Sequence, residues 1–285
     1  MLLLLPADPL NPRSCDPHFA PEARAARDLG IDVAFVDHDA LCAGAAGQAV
    51  ARVPGSDDAV YRGWMLRGGE YAAFEHALGA RGVALRTSAA AFRTAHELPG
   101  WYAALSDLTP QTVWSTGGAP DEVAALCAAL GTGGAVLRDY VKSMKHYWDE
   151  ACFIPDVTDI DTATRVAARF VELREDSLTG GLVLRRFEHF RGAEVRTWWI
   201  DGRCALATAH PDTADELPGP ELVLPDLGPT VTALGLGFVT VDLARREDGV
   251  WRVIELGDGQ VSDRPTSTSP EDLVGALVRH DAALG

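Results

Sequence analysis

The sequence predicts two folding textures in succession: an α/β region with a mostly parallel sheet, then an α+β region with antiparallel sheets. Three observations carry this. Strand-like and helix-like stretches alternate over roughly the first hundred residues, as in doubly wound sheets. Beyond residue 130 the apolar runs lengthen and follow one another with few helices between them. Two Asp-Gly turn signals, at Asp201-Gly202 and Asp248-Gly249, sit between such runs and point to hairpins.

Met1–Leu5 reads as the first strand, since the run is stopped by Pro6 far short of a membrane span. Pro21–Gly30 has helical periodicity and ends in glycine; Asp32–Val36 and Ala59–Met65 are short apolar strands. Glu70–Gly82 is a helix, Val83–Arg86 a strand, Ala89–Glu97 a helix broken by Pro99, and Leu98–Leu105 an aromatic-bearing continuation. A boundary there divides the chain into residues 1–105 and 106–285. Thr112–Ser115 is one more strand, and Asp121–Leu130 a helix with acids in its first turn. Strands are expected at Ala135–Val141, Gly181–Phe187, Val195–Ile200, Cys204–Thr208, Phe238–Leu243 and Trp251–Leu256, with helices at Thr162–Glu175, Leu227–Leu234 and Pro270–Ala283.

Composition narrows the functions. With 47% hydrophobic and 23% charged residues over 285 positions, the chain can bury its cores without disulfides. Five scattered cysteines contain no C-x-x-C pair, which argues against structural zinc and for the cytoplasm. A net charge of −16 repels polyphosphate backbones, so nucleic acid is not an expected partner. Among 25 basic residues only two are lysine, Lys142 and Lys145, three positions apart. An ammonium is a compact point charge suited to single phosphate oxygens, so their pairing singles out this segment.

Three constellations carry chemistry. In Ala135–Lys145, strand alternation would set Arg138, Tyr140 and Lys142 on one face, with Lys145 beyond; such cations repel by about 1 kcal/mol each unless an anion joins them. A solvated basic edge would show the same residues. In Phe238–Leu243 and Trp251–Leu256, Asp242 and Glu255 each interrupt an apolar run, and the intervening turn sets them nearly opposite. Two such carboxylates form a hard oxygen site of the kind magnesium takes, or two ordinary salt-bridged strand acids. Glu194 and Arg196 share a strand face, where Arg196 is either a phosphoryl clamp or the partner of Glu194. No Walker loop, dinucleotide fingerprint, G-x-S-x-G elbow or H-E-x-x-H pair occurs, and the eight histidines are dispersed.

The ordered segments AVLRDYVKS, LVLRRFEHF, AEVRTWWIDG, FVTVDLA and VIELGDGQ, over about residues 130 to 262, resemble the motif series of ATP-grasp enzymes. The resemblance implies a Rossmann-like pre-ATP-grasp domain followed by an ATP-grasp domain. It further implies that Arg138, Lys142 and Lys145 meet phosphate and that the hinge Arg186-Phe187-Glu188-His189 holds adenine, with Glu188 a ribose or adenine ligand. Arg196 would face the γ-phosphate, while Asp242 and Glu255 would hold Mg2+. The family's third metal ligand, an asparagine two residues after the glutamate, is Gly257 here, which leaves Asp258 or Gln260 to substitute. The KS-x-KH-x-W pattern resembles a bacterial clade associated with amide or peptide bond formation.

The chemistry so implied is ATP- and Mg-dependent ligation: phosphorylation of a small-molecule or peptide carboxylate to an acyl phosphate, then capture by an amine. Arg62-Gly63-Trp64-Met65, Arg67 and Trp101-Tyr102 offer an arginine-aromatic wall for substrate, or simple domain packing. A phosphotransferase on the same fold and a non-catalytic nucleotide-binding protein are the alternatives. The oligomeric state is not specified by these motifs.

Overall fold

The computed structural model describes residues 1–219 and 222–279. In chain order the first elements are β1 (Leu2–Asp8), β2 (Asn11–Cys15), α1 (Ala20–Asp28), β3 (Asp32–Val36), α2 (His38–Cys42), α3 (Ala46–Ala49), β4 (Ser56–Tyr61), α4 (Gly68–Gly79), β5 (Val83–Leu85), α5 (Ala89–His96) and α6 (Leu98–Leu105). There follow β6 (Thr112–Trp114), α7 (Val123–Leu130), β7 (Ala135–Arg138), β8 (Phe153–Ile154), α8 (Ile160–Arg174), β9 (Val183–Arg186), β10 (Phe190–Ile200) and β11 (Arg203–Ala209). The last are α9 (Gly228–Ala233), β12 (Phe238–Arg246), β13 (Trp251–Asp258) and α10 (Pro270–Arg279). The expected end of the last helix, at Ala283, lies outside the described residues. No helix among them is long and apolar enough to cross a membrane.

The α/β and α+β textures are both present. In the first sheet β1 pairs in parallel with β3 and with β4, β4 pairs in parallel with β5, and β2 folds back antiparallel on the end of β1. Leu2 and Leu4 of β1 pack into one apolar cluster with Val36, Tyr61 and Phe74, whereas Leu3 and Leu5 pack into another with Ala26, Val60 and Leu273. Side-chain alternation therefore buries both faces of this strand, which is why its sequence is an unbroken leucine run. The other two sheets have the orders β6-β9-β7-β8 and β11-β10-β12-β13. The Asp-Gly signal at 201–202 is a two-residue hairpin turn: Ile200 pairs with Arg203, and both turn residues have positive φ, 45° and 76°.

By packing, the chain divides into two compact units: residues 1–95, 193–243 and 255–285 form one, and residues 96–192 with 244–254 form the other. This grouping differs from a single cut at residue 105, because Trp198, Ile200 and Phe238 share an apolar cluster with Leu3, Leu5 and Phe19. Sequence texture changes where strand type changes; packing follows which strands share a core.

In the second unit α7 and α8 supply Val123, Leu126, Val166 and Phe170 to a core completed by Leu137 of β7 and Leu184 of β9. The expected strand Ala135–Val141 is shorter than its apolar pattern. It ends at Arg138 because the next carboxylate, Asp139, is fully buried and gathers the local backbone into a turn. Asp139 accepts from the N–H groups of Val141 (2.7 Å), Lys142 (2.6 Å) and Thr179 (3.1 Å), and pairs with Arg174 at 2.8 Å.

Candidate functional site

Within the first unit, β10, β11 and β12 bring together a small charged cluster. Arg196 and Asp242 meet through two parallel hydrogen bonds, Nε to Oδ1 at 2.8 Å and Nη2 to Oδ2 at 2.7 Å. Asp242 is 4% exposed. Burial alone would raise its carboxyl, but the Arg196 guanidinium prevails and holds it down at about 2. Burial acts to lower Arg196, and Asp242, joined by Glu255 and Glu194, outweighs it and raises the guanidinium above its usual range. Arg196 also donates from Nη1 to the Asp263 carbonyl at 3.0 Å. In this structure, then, a guanidinium sits among three carboxylates.

His210, which dispersed histidines in the sequence gave no reason to select, joins this cluster because β11 pairs with β10 so that Ala209 faces Val195. Its Nδ1 accepts the Asp212 N–H at 3.2 Å, which leaves the proton of a neutral ring on Nε2. That proton is directed towards Asp242 Oδ2 at 3.5 Å and Glu194 Oε2 at 4.0 Å. Glu194, His210 and Asp242 each offer an atom within 4.8 Å of the others, a spacing a metal ion could bridge. Ligation through His210 Nε2 would move its proton to Nδ1, against the Asp212 N–H. The donors that suit a cation here without that cost are the carboxylates, a hard oxygen set appropriate to magnesium.

Strand alternation separates the candidates on β13. Glu255 and Gly257 fall on one face, half-buried, whereas Leu256 and Asp258 fall on the other and are buried. Asp258 is 1% exposed and accepts at one oxygen from the Gln260 N–H at 2.9 Å and from Gln260 Nε2 at 3.1 Å. Burial pushes its carboxyl up to about 7. The expectation that Asp258 joins Glu255 as a metal ligand is corrected by this geometry, since the two point to opposite sides of one strand. Gln260 is likewise enclosed, accepting from Tyr61 N–H at 3.1 Å and donating to Tyr71 Oη at 2.7 Å. The space beside Gly257 is filled: a Cβ there would stand 2.9 Å from Thr240 Oγ1 and 3.0 Å from Ser262 Oγ, and these hydroxyls bond each other at 2.7 Å.

In the second unit the expected common face of Arg138, Tyr140 and Lys142 is not formed. The Asp139 turn sends Arg138 inward, where it donates to the carbonyls of Asp139 at 3.3 Å and Val141 at 2.5 Å. Tyr140 turns to donate its hydroxyl to the Ser115 carbonyl at 2.7 Å. Lys142 and Lys145 are exposed.

The hinge follows β9. Arg186 donates from Nη2 to the Leu130 carbonyl at 2.5 Å, and its N–H donates to the Gln111 carbonyl at 2.8 Å. Phe187 lies edge-on to Phe153 and Trp148, with ring centroids at 4.9 and 6.0 Å. Glu188 is engaged by Arg252 through two bonds of 2.9 Å, Nε to Oε2 and Nη2 to Oε1, with Arg246 at 3.6 Å. Its carboxylate meets a ribose or base only by parting from Arg252.

The arginine-aromatic wall is packing at its principal residues. Arg62 is 1% exposed, paired with Glu22 through bonds of 2.9 and 3.0 Å, and donates to the carbonyls of Gly259 and Ser262 at 2.6 and 2.7 Å. Trp101 is buried. Trp64 instead borders a cleft of about 440 Å3 at the carboxyl ends of β1 and β3, with Asp8, Asp16, Asp37 and His38. None of the residues lining it belongs to the candidate site.

Comparison with known proteins accords with this geometry. No curated protein matches the chain significantly. Among solved structures, the RimK domain protein ATP-grasp from Sphaerobacter thermophilus DSM 20745 is 19% identical with a TM-score of 0.63, covering 100% of both chains. D-cycloserine synthetase DcsG is also 19% identical, with a TM-score of 0.65 over 98% of this chain and 99% of its own. The ATP-grasp ligase PsnB, solved with minimal precursor, Mg and ADP, is 15% identical with a TM-score of 0.58, covering 99% and 98%. At such identities the likeness is one of fold. The family profile for the ATP-grasp domain, the third family of its clade, matches residues 129–277, more than half of the sequence, and the chain belongs to that ATP-grasp family.

Proposed function

We propose that this protein is an ATP- and Mg-dependent ligase that activates a carboxylate as its acyl phosphate and condenses it with an amine. The observation that carries the reading is the buried Asp242 carboxylate, grouped with Glu194 and neutralised by Arg196, inside the segment that defines the family. A buried carboxylate held ionised by an exchangeable partner is suited to receive a cation. Asp242 and Glu255 are the metal ligands, with Glu194 beside them, and a third ligand from Asp258 is not part of the reading. When bound, magnesium supplies charge neutralisation for the phosphates.

The chain's own groups do the rest. Lys142 and Lys145 bind phosphate oxygens as exposed point charges, while Arg138 holds the turn that presents them. Arg196 leaves Asp242 for the transferring phosphoryl group, so its charge is directed where negative charge develops. A substrate carboxylate oxygen attacks the γ-phosphorus as the bond to ADP breaks. The amine then attacks the acyl carbon, phosphate departs, and the amine loses a proton. No side chain is covalently modified. The hinge residues Arg186, Phe187 and Glu188 border the nucleotide base, and the partners are a small-molecule or peptide carboxylate and an amine.

Calorimetric titration with a non-hydrolysable ATP analogue, with and without Mg2+, tests the reading on the native chain, Lys142→Ala and Glu255→Ala. The native chain should bind, Lys142→Ala should weaken binding in both conditions, and Glu255→Ala should weaken only the Mg-dependent part. Absence of binding to the native chain, or no change in either variant, ends the proposal.

A further inference from the structure

The segment after Lys142 carries a feature that phosphate binding does not use. Lys145–Tyr147 forms a single 3-10 turn, and Trp148–Cys152 a π-helical turn, a rare element that recurs at functional sites. Its far end is anchored by fully buried Ala151 and Cys152, yet Trp148 at its start is 37% exposed. The indole is nonetheless held in place. It stacks on Phe153 at a centroid distance of 5.2 Å and an interplanar angle of 10°, and Phe187 braces both rings edge-on. His189 caps Phe187 at 4.9 Å. All of these residues lie in one unit.

A large aromatic ring fixed by neighbours and left over a third exposed is an apolar surface that a flat ligand would cover. Its surroundings indicate which ligand. Exposed Lys145 stands three residues before Trp148 and Lys142 six before, so an aromatic plate and two ammonium groups share one short stretch. A planar base joined to a polyanion matches both.

We infer that Trp148 is the side chain on which the purine base of the bound nucleotide stacks, with Phe153 and Phe187 holding the indole in position. The inference rests on the ATP reading above and adds a base-positioning residue to it. Aromatic stacking reads the face of a base rather than its edge, so the contribution is to affinity for the base and not to phosphate contacts.

The test compares two probes on the full-length native chain, Trp148→Ala and Trp148→Phe: the non-hydrolysable ATP analogue with Mg2+, and inorganic tripolyphosphate with Mg2+, which has no base. Trp148→Ala should bind the analogue at least about ten-fold more weakly while binding tripolyphosphate as the native chain does, and Trp148→Phe should recover most of the loss. Lys142→Ala should weaken both probes. Native-like binding of the analogue by Trp148→Ala overturns the stacking role alone, as does equal loss of both probes, which would mark a general disturbance of the segment. Failure of the native chain to bind the analogue overturns the ATP reading, and the stacking role with it.

Discussion

Arg196 clasps Asp242 in a two-bond fork, Nε to Oδ1 at 2.8 Å and Nη2 to Oδ2 at 2.7 Å, with both side chains largely withdrawn from solvent. The fork means that the acid proposed to hold a metal already has a cation. Metal binding and phosphoryl clamping are therefore linked, because each requires the same bond pair to open.

Arg196→Ala tests that linkage. Removing one partner of a buried ion pair costs on the order of 3 kcal/mol, since the other charge stays buried and uncompensated. In chelator the variant should melt well below the native chain. Titration with Mg2+ should then recover more of the melting temperature than it adds to the native chain, because the ion no longer competes with a guanidinium. Equal Mg-induced shifts in variant and native chain would show that Arg196 and the metal do not share Asp242.

The position of the absent asparagine gives a second prediction. A Cβ at Gly257 would lie 2.9 Å from Thr240 Oγ1 and 3.0 Å from Ser262 Oγ. Gly257→Asn should destabilise the chain by about 1–3 kcal/mol, the usual cost of overpacking. Adding Thr240→Ala and Ser262→Ala should return part of the loss, measured by urea unfolding. An unaltered midpoint in the single variant would mean that the hydroxyl pair moves aside freely and that the glycine is not sterically required.

These residues also show where the sequence could be read and where it could not. The strand Asp32–Val36, the hairpin at Asp201-Gly202 and the two acids interrupting apolar strands were legible, because each is written in local alternation or turn chemistry. The direction of Arg138 was not. Its strand ends at Asp139, whose carboxylate draws donors from residues 174 and 179 as well as 141 and 142, and such long-range capture leaves no local pattern. His210 enters the cluster through strand pairing, invisible along the chain. The two-residue strand β8 and the exposed strand β2 lack any apolar run to announce them. Asp258, by contrast, could have been assigned correctly: three positions from Glu255 on a strand is the opposite face.

The pair that joins the first parallel sheet to the segment after β13 yields a third prediction. Arg62 and Glu22 have side chains 1% and 4% exposed, and the same guanidinium holds the Gly259 and Ser262 carbonyls. Glu22→Gln should destabilise the chain by about 3 kcal/mol by leaving the guanidinium charge buried without its counter-charge. Urea denaturation should show this as a lower midpoint with little change in slope. A loss under about 0.5 kcal/mol would mean that the carbonyls alone satisfy Arg62 and that the carboxylate adds nothing.

Asp258 gives a prediction about pH. Burial raises its carboxyl from the ordinary value to about 7, so the folded chain keeps the proton that the unfolded chain releases near pH 4. The sign follows. Below about pH 4 both states are protonated and the buried acid carries no penalty; as pH rises towards 7 the unfolded state is favoured increasingly, and above 7 the loss is constant. The full effect is on the order of 4 kcal/mol. Asp258→Asn keeps an oxygen to accept from the Gln260 N–H and Nε2 but cannot ionise. The variant should therefore match the native chain in stability near pH 4 and exceed it increasingly from pH 5 to pH 8, read as the difference between their urea unfolding free energies at each pH. A difference that stays flat across that range would mean that Asp258 is ionised in the folded chain, and that its carboxylate is compensated by a partner other than Gln260.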